Sequence, residues 1–305
     1  IFVPSPCNWP DMILSTGLHA GTSFEEYEKI NAANNSSLTK LDQSPAHMIA
    51  YRNEPTKRTE AFHEGHAIHY ALLEPDEFKG RYAVGPPGDR RTKDVKAEWT
   101  KLRMKYGHDF VLSPKSDTMI RGITDAVDKH SIASPLLSGR GETEVVAVWD
   151  DTASKVRCKA RIDCMPDEKE PVGGLIPSQC IVDIKSCQDA SPEAFAKSVY
   201  AYNYFRQAQF YLRGCNALGH PRQHFVIIAI EKDPPFGIGV YSIDAGALDA
   251  GEQLNDQALA QYAECTARAK FPSYPERVEY LTLPSWAWAS IDNRLTGIAG
   301  PGATG

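Results

Sequence analysis

The chain has 305 residues, 42% apolar and 24% charged, with a formal net charge of −6, which are the proportions of an ordinary globular protein able to bury a substantial core. No apolar run reaches the roughly eighteen residues that span a bilayer, so no membrane partner is expected; the acidic balance excludes a surface that coats nucleic acid throughout, while leaving room for a local basic channel. The seven cysteines, Cys7, Cys158, Cys164, Cys180, Cys187, Cys215 and Cys265, form no C-x-x-C pair, which excludes the usual zinc and iron–sulfur spacings and predicts reduced, buried thiols in a cytoplasmic protein.

Residues 1–21 carry Pro, Gly and Ser without periodicity and read as an arm or loop, with no basic-then-apolar stretch of a secretory signal. Ser23-Phe24-Glu25-Glu26 fits a capping box and predicts a short helix to Ile30. Ser36 or Ser37 can cap a helix through Leu41, and Ser44-Pro45 restarts one through Tyr51. From Thr59 to Leu73 apolar residues recur at helical spacing, with His63, His66 and His69 three apart. At that spacing the three drift around the helix and cannot all face one metal ion. Pro75 ends the helix, and Arg81 to Val84 reads as a short strand. Thr92 to Tyr106 reads as an amphipathic helix. It lies in a basic stretch, Asp89 to Lys105, with seven Lys or Arg against three acids: a solvated helix face or a phosphate-tracking patch. Asp109 to Leu112 is a short strand, and Ser113-Pro114 starts a helix to about His130.

The character changes at Glu142. Glu144 to Trp149 alternates as a strand, Asp150 to Ser154 turns, and Lys155 to Asp163 returns as its hairpin partner. Met165 to Gln179 is an irregular connection and Cys180 to Ser186 a third strand. Ser191-Pro192 starts a helix that breaks near Asn203 and resumes to Leu218. His224 to Glu231, almost entirely apolar, is a buried strand with Gly237 to Ile243 beside it. Leu248 to Lys270 is a long helix, and the Gly-rich end after Leu295 is expected to be disordered. This order predicts an α/β fold: a mixed central sheet flanked by helices, with a helical N-terminal part. The expected division is an arm over 1–35, one domain over 36–283 and a flexible tail over 284–305.

The chemistry-bearing stretch is Ile181-Val182-Asp183-Ile184-Lys185-Ser186, read with Lys159-Ala160-Arg161-Ile162-Asp163 upstream. On a strand Asp183 and Lys185 leave one face, and if the two strands are neighbours Asp163 converges on Asp183. Two carboxylates about 5 Å apart at an effective dielectric of about 20 repel by roughly 3 kcal/mol, so such a pair wants a proton or a cation. With the Ile184 carbonyl they form an oxygen set suited to Mg²⁺, and Lys185 is placed to orient or deprotonate a water attacking a phosphodiester. A surface ion pair on a strand edge is the bland alternative. Gln207 and Tyr211, four apart on the following helix, share a face.

D-(x19)-D-x-K followed by Q-x-x-x-Y resembles the PD-(D/E)xK nuclease superfamily. The segments SSLTKLDQSPAHMIAY, FHEGHAIHYALLEPDEF, DRRTKDVKAEW, KARID, VDIKS, ASPEAFAKSVYAYNYFRQAQFY and AIEKDPPF, in order from about Ser36 to Ile243, look like the blocks of RecE-type exonucleases (exodeoxyribonuclease VIII). The resemblance implies a site in which His69, Asp163 and Asp183 hold the metal, with Glu144, or Glu142 in a shifted match, at an acidic position beside it and the Ile184 carbonyl of the oxygen set above. Lys185 would be the catalytic lysine, and Gln207 and Tyr211 would contact DNA or position the active groups. His63 and His66 receive no role. Tyr204-Phe205-Arg206 departs from the family's tyrosine-histidine before the glutamine, so Arg206 is an added phosphate contact or a solvent residue. Arg52, Lys57, Arg58 and Arg91 are candidates for the 5′ phosphate, with Arg161 a further DNA contact. The implied activity is a 5′→3′ exonuclease that uses Mg²⁺, with Mn²⁺ as substitute, on ends of linear double-stranded DNA. It would release mononucleotides and leave 3′ overhangs for recombination and repair, in a bacterial or phage setting. The implied partners are a RecT-like single-strand annealing protein and further copies of the chain in a ring-shaped homo-oligomer. The alternatives are a nuclease of other polarity, an endonuclease, or a decayed DNA-end-binding protein.

Overall fold

Helical and extended patterns sort into one mixed sheet with helices on both faces. The computed structural model describes residues 12–54, 59–138, 141–166 and 179–296. In chain order these form β1 (Gly17–His19), α1 (Phe24–Lys29), α2 (Asn35–Leu38), α3 (Pro45–Asn53), α4 (Glu60–Leu73), α5 (Pro75–Arg81), β2 (Ala83–Val84), α6 (Lys93–Tyr106), β3 (Val111–Leu112), α7 (Pro114–Lys129), α8 (Ala133–Ser138), β4 (Gly141–Asp150), β5 (Arg157–Pro166), β6 (Cys180–Cys187), α9 (Pro192–Ala201), α10 (Tyr204–Ala217), β7 (His224–Glu231), β8 (Ile238–Ser242), α11 (Ala245–Ala267) and α12 (Ser285–Leu295). The main sheet runs β1-β4-β5-β6-β7-β8, and β2 and β3 form a small parallel pair. Among the described residues β6 and β7 are the one parallel pair of the main sheet, and α9 and α10 supply the crossover that a parallel pair requires.

Each sheet face buries its own core. Ile181, Ile227 and Ala229 pack with Phe195 of α9, Ala208 and Phe210 of α10 and Leu259 of α11. On the opposite face Val182, Ile184, Val226 and Ile228 meet Ile68 of α4, Ile120 and Ile123 of α7 and Leu136 of α8. The unbroken apolar run of β7 follows from this, because the strand is covered on both sides. Gly214 of α10 lies against the Trp149 ring, where an added Cβ would come within 2.7 Å. That contact sets how closely the helix approaches the sheet.

The capping signals act as read at Ser23, Ser44 and Ser113, and Asn203 in the left-handed region (φ 57°) separates α9 from α10. Five details differ, the first being that Asp109 falls in a short 3₁₀ turn, His108–Phe110, so that β3 is confined to Val111–Leu112. Asn34, in a capping box with Ser37, starts α2 in place of Ser36 or Ser37. Pro75 starts a further helix that takes in Arg81, so β2 is confined to Ala83–Val84. Residues 17–19, expected within an arm, form the edge strand against β4. Ser285–Leu295, expected within a tail, forms α12. The chain divides into two compact units, Ile1–Pro272 and Ser273–Gly305, the second containing α12. Most of the expected irregular connection, residues 167–178, lies outside the described residues, as do Cys7 and the end after 296. The six described cysteines are free thiols. Among the described residues no helix is long and apolar enough to cross a membrane.

Among the described residues β5 meets β6 at a single laddered pair, Cys164 with Val182, so the lower part of β5 needs another neighbour. Ala33 provides it: its N–H donates to the Arg157 carbonyl and its carbonyl accepts from the Lys159 N–H, both at 2.8 Å. The buried Lys159 ammonium completes the joint by donating to the carbonyls of Tyr27 (2.7 Å), Glu28 (3.3 Å) and Ile30 (2.8 Å) at the end of α1. Burial, with the charge of Arg52 adding to it, pushes its pKa down to about 7. Three carbonyls nonetheless match the three N–H groups that only the protonated amine possesses. Replacing Lys159 by Met is expected to strand these acceptors and lower stability by about 2–3 kcal/mol. Urea unfolding measures this, and an unchanged midpoint would show that the joint does not need the amine.

Candidate active site

The site forms where the sheet is least regular. The β4–β5 ladder pairs Thr143 with Cys164 and Val145 with Ile162; the residues between these pairs are Glu144 and Asp163, and they are not laddered. Glu144 has φ 53°, in the left-handed region. Beyond the single β5–β6 pair, the Ile184 N–H donates to Asp163 Oδ2 at 2.8 Å. A side-chain carboxylate thus takes the place of a ladder carbonyl, and the opening between the strands is lined by acids.

Three elements converge on this opening. From α4, His69 Nδ1 reaches within 3.5 Å of Asp163 Oδ2 and 3.8 Å of Glu144 Oε1. The other Glu144 oxygen lies 2.8 Å from Arg161 Nε. From β6, Lys185 Nζ lies 2.6 Å from Asp183 Oδ2. From α10, the Gln207 amide donates to Asp183 Oδ1 at 2.8 Å. The Lys185 ammonium also lies over the Tyr204 ring, 4.9 Å from its centre, a neighbour that sequence spacing did not single out although Tyr204 stands three residues before Gln207.

Electrostatics follow from burial among like charges. Burial pushes Asp183 up to about 6, with Asp163 adding to the shift and Lys185 opposing it. For Lys185, burial disfavours the charge, but Asp183 and Asp163 outweigh it and raise its pKa. Burial likewise opposes charge on His69, yet Asp163 and Glu144 raise it to about 9. The imidazolium thereby supplies one of the positive charges that the carboxylates demand.

A divalent cation fits this donor set. Ligating atoms of His69, Glu144 and Asp163 all lie within 4.8 Å of one another, and the buried Asp183 Oδ2 faces Lys185 without hydrogen-bond geometry. Carboxylates with one imidazole suit Mg²⁺ or Mn²⁺. Asp183 stands outside the cluster of mutual 4.8 Å distances, turned toward Lys185 and Gln207. Of Ile184, the contact seen is its N–H on Asp163.

The remaining expected residues sort differently. Tyr211 is half-buried, edge-on to Phe225 and packed against the core, away from the cluster of acids. Arg206 corrects an expectation: it is 0% exposed. Its guanidinium binds Asn255 Oδ1 (2.8 Å), Asp42 (2.9 Å) and the Leu254 carbonyl (3.3 Å), so it ties α10 to α11 and cannot meet a phosphate or solvent. Arg161, 13% exposed, is engaged with Glu144 and stacks on Phe24. Arg52 donates to Asn31 and Tyr262. Arg91 is on the surface, forked to Asp89. Lys57 and Arg58 lie outside the described residues. His66 packs between Phe24 and Phe62.

The model of a family described as "PDDEXK-like domain of unknown function (DUF3799)" matches residues 34–284. A crystal structure from Eubacterium rectale, described as "Putative exonuclease", is similar to this chain with a TM-score of 0.54 and 11% identity. The similarity covers 88% of this chain and 97% of that one, and at this identity it speaks for the fold. No curated protein matches the chain.

His69 gives the metal-free site a pH signature. Its folded pKa of about 9 exceeds the ordinary 6.5, so the stability it contributes is complete below about pH 6.5 and is lost as pH rises through about 9. In the presence of a chelator, urea unfolding at pH 6 and pH 9.5 should show the parent losing about 2 kcal/mol relative to His69→Gln, a difference that cancels the titration of the other groups. The same loss in both would remove His69 as the titrating group.

Proposed function

This chain belongs to the PDDEXK-like family, and on that premise we propose that it is a metal-dependent exodeoxyribonuclease that digests linear duplex DNA from 5′ ends. The reading has it release mononucleotides and leave 3′ single strands for a RecT-like annealing protein. The observation that carries it is the meeting of Asp163, Asp183, Lys185 and Gln207 at the opening between β5 and β6. The resemblance to RecE-type exonucleases supplies polarity, duplex preference and the ring-shaped homo-oligomer. In such a ring only the channel lining must be positive, which suits a chain of net charge −6.

A divalent ion, Mg²⁺ or in its place Mn²⁺, held by His69, Glu144 and Asp163 with Asp183 beside them, would stabilise the charge that develops on the phosphoryl oxygens. The chain's own groups do the positioning. Asp183 and Asp163 raise the pKa of Lys185 in the metal-free site, and its amine is placed to orient or deprotonate the attacking water and to stabilise negative charge. Gln207 fixes the Asp183 carboxylate through Oδ1, leaving Oδ2 directed at Lys185. Tyr204 walls the ammonium on its ring side.

A time course on 5′-labelled linear duplex should release labelled mononucleotide first, while covalently closed circular duplex stays intact. Early release of label in long fragments, or nicking of the circle, would overturn the exonuclease reading. Lys185→Ala should lower the rate at least about 100-fold with folding and DNA binding kept, since a group acting in the transition state is lost. Undiminished cleavage by that variant would exclude the mechanism.

A further inference from the structure

The three histidines of α4 fan into three environments: His69 enters the active site, His66 packs between two phenylalanines, and His63 turns to a second polar cluster. There His63 Nε2 stands 3.5 Å from Asp109 Oδ1, and His108 Nδ1 stands 3.4 Å from the same oxygen. All three ligating atoms lie within 4.8 Å of one another. The cluster borders a cavity of about 230 Å³ that Glu60 and Glu64 also line.

We propose that His63, His108 and Asp109 form a second metal site, for a first-row transition-metal dication of the zinc class. The distances are the argument. Without an ion, His108 Nδ1 and Asp109 Oδ1 share a long hydrogen bond of 3.4 Å, and a bound cation would take its place. Zn–N and Zn–O bonds of about 2.0–2.1 Å in tetrahedral geometry place neighbouring ligand atoms about 3.4 Å apart. Two imidazoles with one carboxylate favour Zn²⁺ over Mg²⁺, which prefers oxygen and water. With three protein ligands, the fourth position is left to a water or small anion from the cavity, where Arg90 and Arg103 lie against Trp99 at 4.0 and 5.2 Å from its ring. The ion would pin α4 to the turn between α6 and β3, elements whose ligands are far apart in sequence. It would thereby steady the helix that presents His69, independently of whether the active site is a nuclease.

Titration of the chelator-treated protein with Zn²⁺ by calorimetry tests this. The parent should bind one more equivalent than His108→Ala, or bind it at least about 100-fold more tightly, and Asp163→Asn should retain that equivalent. His108 is 68% exposed, so its loss should not unfold the chain; Asp109→Asn serves as a second variant. Zn²⁺ should raise the Tm of Asp163→Asn but not of Asp163→Asn with His108→Ala, and Co²⁺ should give the strong visible absorption of a tetrahedral site. Equal stoichiometry and affinity in the parent, His108→Ala and Asp109→Asn would overturn the proposal and leave a hydrogen-bonded surface cluster.

Discussion

The hydrogen bond from the Ile184 N–H to Asp163 Oδ2 is the constraint on which the site depends. A sheet normally closes each gap between strands with carbonyl acceptors; here a carboxylate does it. Because the carboxylate is longer than a carbonyl, β5 and β6 share only one laddered pair among the described residues. The opening that results admits His69 from the helix layer on one face and Gln207 from the layer on the other. The sheet also pays a backbone penalty nearby, since the adjoining edge of β5 must be covered by Ala33 and anchored by Lys159.

Each acid in the opening has its own partner: Arg161 for Glu144, Lys185 for Asp183, the Ile184 amide for Asp163. Such partners offset part of the repulsion and hold the carboxylates where mutual repulsion alone would spread them. Two of these cations lie in the same strand as an acid, Arg161 with Asp163 and Lys185 with Asp183, two residues apart. The arrangement is therefore carried by strand periodicity as much as by tertiary contact.

That periodicity explains what could be read from the sequence. Asp183 and Lys185 on one face, the hairpin leading to Asp163, the helix break at Asn203 and the doubly covered β7 all follow from local spacing. So does the conclusion that three histidines on α4 cannot share one ion. Spacing does not reveal contacts between distant segments. Arg206 looks like a surface cation beside Gln207, but Asn255 and Asp42, far away in sequence, draw it into the core. Edge strand β1 has no pattern of its own because β4 defines it. Asp109, read only as the start of a strand, gains its significance from His63, 46 positions earlier in the numbering.

The left-handed backbone at Glu144 carries a cost of about 1–3 kcal/mol in a non-glycine residue, and it falls within a strand buried from Val145 to Trp149. A fold selected for robustness alone would place glycine at that position. Keeping glutamate there trades mechanical ease of the sheet for a carboxylate beside Asp163, so thermal tolerance and chemical competence pull this one residue in opposite directions.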